Sequence, residues 1–161
     1  MKYRTEHFLD KLIHHEGMVL TVYQDSLGID TIGIGRNLKD RGITKEELDY
    51  IDIPNMDVVY EHGITEADAR YLAMNDIRIV ENELCRVHSC VEDLDSVRQL
   101  ILMDMAFNMG VPRLCKFKNM WVRDNCPTAN DKDYSHRIIN IIEVSKAVSY
   151  TNLTQPTNRE V

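Results

Sequence analysis

From Asp95 to Met109 the chain carries apolar side chains on nearly every side of a helix: Val97, Leu100, Ile101, Leu102, Met103, Met105, Ala106 and Phe107. A helix that is apolar all round has no face to offer water, so other elements must enclose it. It is also too short to cross a membrane, which takes about 20 apolar residues. Gly110 and Pro112 supply its stop. The chain must therefore build a helical lobe around this segment, and no membrane insertion is expected.

The remaining patterns fill in the two sides of that lobe. Thr65-Glu66-Ala67-Asp68 opens a long helix on which Leu72, Ile77, Val80 and Leu84 fall on or near one stripe. About 20 helical residues span about 30 Å, enough to link two lobes. Beyond the central helix, Phe117 to Trp121 predicts a short helix, and Tyr134 to Val148 a longer one with Ile138, Ile141, Ile142 and Val148 on one side. The last dozen residues read as irregular.

At the other end, residues 5 to 15 read as a helix with Phe8, Leu9, Leu12 and Ile13 at helical spacing, Thr5 as cap and Gly17 as stop. The period then changes. Val19 to Tyr23 is β-prone, Gln24-Asp25-Ser26-Leu27-Gly28 has turn chemistry, and Thr31-Ile32-Gly33-Ile34-Gly35 resumes strand character. Thr44-Lys45-Glu46-Glu47 has the form of a capping box opening a short helix that ends before Pro54. The expectation is an α+β protein: an N-terminal α/β lobe over residues 1–64, an interlobe helix over 65–85, and a helical C-terminal lobe over 86–161.

Composition narrows the function. With 161 residues and a net charge of −7, the chain lacks the basic balance of a general nucleic-acid binder. Arg113, Lys116, Lys118 and Arg123 form one local basic stretch, open to an anionic partner or simply solvated. The opening residues lead into an amphipathic helix rather than an apolar signal core, so the expectation is a soluble protein made in the cytoplasm. There disulfides are disfavoured, and the four cysteines are expected as free thiols. Cys85, His88 and Cys90 have ligand-like spacing, but zinc wants a fourth ligand and none is obvious, so no metal is expected.

One constellation carries chemistry. Glu16 falls at a helix C-terminus, where unsatisfied carbonyls disfavour a negative charge and favour the protonated carboxyl that a general acid requires. Asp25 lies in a polar turn, where a carboxylate stays ionised. Thr31 opens the next strand with a hydroxyl able to hold water. Two carboxyls in unlike surroundings plus a water-holding hydroxyl are the parts of a glycosidase.

The wording of this segment goes further. His15-Glu16-Gly17, then Val22-Tyr23-Gln24-Asp25-Ser26-Leu27-Gly28, then Thr31-Ile32-Gly33-Ile34-Gly35 closely resembles the T-even phage lysozymes, a glycoside hydrolase family. Ile64-Thr65, Ser96-Val97-Arg98, Met105 to Gly110 and Phe117-Lys118-Asn119 extend the resemblance over about residues 5 to 120. It implies Glu16 as the general acid, and Asp25 and Thr31 as the pair holding the attacking water, with inversion at the anomeric carbon. It implies bacterial peptidoglycan as substrate, cut between N-acetylmuramic acid and N-acetylglucosamine. Gly35, Asn37 and Phe107 would contribute to substrate binding, Phe107 from the cleft between lobes. No cofactor is implied, and the protein would act as a monomer. It would be a phage endolysin waiting in the host cytoplasm, with a holin-type partner giving access to the wall.

The chain also departs from the family pattern. Arg36 stands where the family commonly has His, and Asn37 replaces an apolar cleft residue. Gln155-Pro156-Thr157-Asn158-Arg159 resembles the family's Q-T-P-N-R with two letters exchanged, which would make Arg159 the partner of Glu16 and place it between Glu16 and Asp104; the competing expectation is that Asp104 faces solvent and Arg159 belongs to a frayed tail. Past about Met120 the match fades. A non-catalytic wall-binding protein or a tail-associated lysozyme on the same fold are the competing expectations.

Overall fold

The computed structural model describes residues 1–117 and Trp121. The chain divides into two compact units, Tyr3–Glu83 in one and Met1–Lys2 with Leu84–Val161 in the other. Both helices and a small antiparallel sheet are present, so the class is α+β.

The first unit begins with α1 (Thr5–Glu16), which buries Phe8, Leu9 and Leu12. Tyr3 meets Phe8 edge to face, ring centroids 5.9 Å apart. The cap position belongs to Arg4, with no side-chain cap bond, and Thr5 is already helical. The expectation of a Thr5 cap is corrected by one residue. Three strands follow, β1 (Val19–Gln24), β2 (Asp30–Gly33) and β3 (Arg36–Asn37), ordered β1-β2-β3 and antiparallel throughout. Tyr23 pairs with Thr31 and Gln24 with Asp30, and the register shifts between Val19 and Tyr23. Thr31 pairs onward with Asn37 and Ile32 with Arg36. The middle strand β2 is buried from Thr31 to Gly33.

Two short helices cover this sheet. α2 (Lys45–Tyr50) opens with the expected capping box: the Thr44 side chain accepts from the Glu47 amide at 3.2 Å, and the Glu47 carboxylate accepts from the Thr44 amide at 3.0 Å. α3 (Met56–His62) is capped by Asn55, whose Oδ1 accepts from the Val58 amide at 3.2 Å. The sequence reading left this helix out. Ile32, Ile43, Leu48, Val59, Ile64, Ala69 and Leu72 form the core, with Met18, Val22 and Leu38 packed beside it. Each large apolar side chain buried there contributes about 1.5–3 kcal/mol.

Gly63 makes the tightest join. The Ile64 amide donates to the Leu20 carbonyl at 2.8 Å, drawing the end of α3 onto β1. A Cβ at position 63 would lie 2.2 Å from that same carbonyl oxygen, and the residue holds φ +75°. Only glycine fits here.

α4 (Glu66–Val87) is the long helix expected from residue 65 onward, 22 residues in length. In the second unit a 3-10 helix (Ser89–Asp93) precedes α5 (Ser96–Met109), and α6 (Val111–Leu114) follows it. Asp95 caps α5 by accepting from the amides of Val97 and Arg98, both at 3.0 Å. Leu102, Met103, Met105 and Ala106 are buried, as the all-apolar pattern requires, while Val97 at the start of the helix is exposed. Gln99 is fully buried, and its amide is satisfied: Nε2 donates to the carbonyls of Val91 and Glu92, and Oε1 accepts from the Lys2 amide.

His88 stacks on Trp121 with centroids 3.6 Å apart, and its Nε2 lies 3.6 Å from Cys115 Sγ. Burial holds the His88 pKa below its ordinary value. Among the described residues no group of three or more His, Cys, Asp or Glu side chains is placed to hold a metal ion. Among these residues, too, no helix is long and apolar enough to cross a membrane. Cys126, Lys118, Arg123 and the helix expected over Tyr134 to Val148 lie outside the described residues.

Candidate active site

Glu16 is the last residue of α1. Gly17 takes φ +77° and donates its N–H to the Ile13 carbonyl at 3.0 Å, so the helix ends and the chain turns into β1 two residues later. Glu16 is exposed, and among the described residues its carboxylate has neither a hydrogen-bond nor an ionic partner.

Asp25 organises the turn between β1 and β2. Its Oδ1 accepts from the amides of Leu27 at 2.8 Å and Ile29 at 2.9 Å. Its own amide donates to the Ile29 carbonyl at 3.0 Å. These bonds are the local reason for an Asp here, since a short carboxylate reaches amides two residues on. They engage one carboxylate oxygen and leave Oδ2 with no hydrogen bond among the described residues.

Thr31 is 4% exposed, and its hydroxyl donates to the same Ile29 carbonyl at 3.0 Å. A hydroxyl has one proton and two lone pairs. With the proton committed to Ile29, Thr31 Oγ1 can act only as an acceptor toward any further partner. The side chains that carry these two acceptors, Asp25 Oδ2 and Thr31 Oγ1, are thus anchored to one residue, Ile29. A water has two protons to offer such a pair.

In the sequence Tyr23 is a β-former within the matching motif, with no role of its own. Its partner across the sheet is Thr31. Residues directly opposite in an antiparallel pair point to the same face with Cβ atoms about 4.5–5.5 Å apart. The phenol pKa is pushed above its usual value, first by burial and then by the negative charges of Asp25 and Glu16. Its ring therefore lies within electrostatic reach of both carboxyls. No local signal in the sequence could have disclosed this, because it depends on the strand register.

The expected substrate-binding residues divide. Gly35 is exposed, and a side chain there would meet open space. Asn37, paired with Thr31 across β3, commits most of its amide to its own turn: Oδ1 accepts from the amides of Lys39 at 2.8 Å and Asp40 at 2.9 Å, and Nδ2 donates to Asp40 at 3.0 Å. One N–H remains for a ligand. Phe107 lies half-buried on α5 in the second unit, and Arg159 lies outside the described residues.

Arg36, between Gly35 and Asn37, pairs with Ile32 rather than Thr31 and is buried. Its guanidinium donates to the Gly42 carbonyl at 2.7 Å, to the Leu72 carbonyl at 3.3 Å, and to both oxygens of Glu47 at 3.1 and 2.5 Å. Asp76 lies 3.5 Å away and is held at 2.8 Å by Arg41. Burial works to raise the Glu47 pKa. Hydrogen bonds from Thr44, Asn75 and Arg36, with the Arg36 charge, outweigh it and hold the carboxyl below its ordinary range. At Asp76 burial wins and raises the pKa, with Arg36 and Arg41 opposing.

Residues 13–133 match the phage lysozyme family. A protein from Dictyostelium discoideum described as a probable T4-type lysozyme is 25% identical over 163 residues, covering 88% of this chain and 96% of that protein. The match takes in the turn of Asp25, the strand of Thr31 and the central helix α5. This chain belongs to the phage lysozyme family, whose members are cell-wall glycoside hydrolases of lysozyme type.

Proposed function

We propose that the protein is a muramidase that hydrolyses the β-1,4 bond between N-acetylmuramic acid and N-acetylglucosamine in bacterial peptidoglycan, with inversion. Glu16, protonated, gives its proton to the glycosidic oxygen as the bond to the anomeric carbon breaks. A water held by Asp25 Oδ2 and Thr31 Oγ1 attacks that carbon from the opposite face, and its surplus proton passes to Asp25. The sugar product leaves with inverted configuration, Glu16 ionised and Asp25 protonated. The observation that carries this reading is the doubly used Ile29 carbonyl, which leaves Thr31 an acceptor tied to the same residue as a half-free carboxylate. Gly35, the remaining Asn37 N–H and Phe107 would contact the glycan, and Arg159 would pair with Glu16.

In the wider role proposed, the protein is a phage endolysin. It accumulates as a monomer in the host cytoplasm and reaches the wall once a holin-type partner opens the membrane. Support for this part comes from the resemblance to the phage members of the family.

The test is clearing of purified peptidoglycan by the wild-type protein beside Glu16→Gln, with NMR of the first sugar product to read its anomeric configuration. Release of reducing ends with an inverted anomer is expected. Retention would put Asp25 in a nucleophile's role. Wall binding without cleavage would leave the non-catalytic binder as the function. Lysis of expressing bacteria only when a membrane-permeabilising protein is co-expressed would support the endolysin role.

A further inference from the structure

We propose that Tyr23 is a substrate contact of this site, its hydroxyl donating a hydrogen bond to an oxygen of the N-acetylated sugar held between Glu16 and Asp25. The proposal rests on the muramidase reading and deepens it.

Three observations support it. The first is placement: Tyr23 stands directly across the β1–β2 ladder from Thr31 and two residues before Asp25, so the sheet sets its position. The second is availability. Tyr23 is 36% exposed, and among the described residues its hydroxyl has no hydrogen-bond partner. An exposed phenol with a free tip is a common form of ligand contact.

The third is chemical complementarity. Asp25 Oδ2 and Thr31 Oγ1 are acceptors, and the single proton of Glu16 is committed to the leaving oxygen. A pyranose ring oxygen or an acetamido carbonyl needs a donor, and this set supplies none to spare. Burial first, and then the negative charge of Asp25, disfavours its phenolate. The hydroxyl therefore remains a donor across the pH range in which a carboxyl acid works.

The experiment uses Glu16→Gln to hold an intact glycan. Binding of a short β-1,4 oligosaccharide of N-acetylglucosamine and N-acetylmuramic acid is measured by calorimetry for Glu16→Gln and for Glu16→Gln with Tyr23→Phe. The double variant should bind roughly 3- to 10-fold more weakly, the loss of one neutral hydrogen bond. In Glu16→Gln alone, a spectrophotometric titration of the tyrosines at alkaline pH should show one phenol whose midpoint rises when glycan is added. That signature needs no second substitution and is not produced by a residue that merely supports the fold. Equal affinities with an unmoved titration, in a protein whose wild type clears peptidoglycan, would overturn the Tyr23 contact alone. Absence of both wild-type cleavage and Glu16→Gln binding would overturn the muramidase reading and this proposal with it.

Discussion

Asp25 and Thr31 are joined through a single residue, Ile29. Its amide donates to Asp25 Oδ1 at 2.9 Å, and its carbonyl accepts from the Asp25 amide and from the Thr31 hydroxyl, both at 3.0 Å. The arrangement separates scaffolding from chemistry within one side chain. In Asp25→Asn, Oδ1 still accepts from Leu27 and Ile29, so the turn survives, but the other position becomes an N–H donor that repels the water's protons. We expect a loss of kcat of at least ~10²-fold. The melting temperature should stay close to wild type. Thr31→Val should lower kcat on a similar scale by removing the second acceptor, while the Asp25 amide still satisfies Ile29. Loss of the fold in Asp25→Asn would mean that the charge, not the geometry, holds the turn.

Glu16→Gln is predicted to abolish clearing while leaving stability unchanged. The amide keeps the shape and has no transferable proton, so the loss should reach the ~10²–10⁴-fold range of acid catalysis or exceed it. Glu16 is exposed at the end of α1, where substitutions usually stay within about ±0.5 kcal/mol. Activity within about tenfold of wild type would remove Glu16 from the acid's role, given that range.

Local chemistry was legible and distant pairing was not. The Thr44–Glu47 capping box, the Gly17 stop and the Asp25 turn can all be read within four residues, and all three are present. Glu47, however, also holds Arg36, eleven residues away, and Arg36 reaches the Leu72 carbonyl, thirty-six residues away. No periodicity carries that information. Tyr23 was missed for the same reason: in sequence it is an ordinary β-former, and only the register sets it opposite Thr31. α3 was missed although its cap, Asn55, stood in plain view, because seven residues are too few to show a helical stripe.

Gly63→Ala is predicted to be among the most damaging small substitutions. The added methyl would meet the Leu20 carbonyl oxygen at 2.2 Å, and backbone cannot swing aside as a flexible side chain can. The φ of +75° adds about 1–2 kcal/mol for any residue with a Cβ. Relief requires breaking the Ile64–Leu20 bond that seats α3 against β1. A total cost of roughly 3 kcal/mol follows from strain plus a lost buried hydrogen bond. Urea unfolding measures it, and a cost below about 1 kcal/mol would show that this join relaxes freely, against the strain expected.

The Arg36 network should give stability an acid-sensitive component. Glu47 has a folded pKa below its unfolded value. Its contribution is therefore present above the ordinary glutamate range and is lost as pH falls through the folded value. Asp76 is shifted the other way, so its contribution is present below the ordinary aspartate range and is lost as pH rises through its raised value. Arg36→Met leaves Glu47 buried without its cation and strips a donor from the Gly42 and Leu72 carbonyls. At pH 7 this should cost about 3–5 kcal/mol, the range for breaking a buried pair. Near pH 4 the cost should shrink, because an unpaired Glu47 can take up a proton and remain buried as a neutral acid. Asp76→Asn removes the opposing group, so its stability should rise more steeply than wild type between pH 4 and 6. Denaturant melts of the three proteins at both pH values decide it. An Arg36→Met cost that is the same at each pH would show that the carbonyl contacts, rather than the Glu47 charge, account for what Arg36 does.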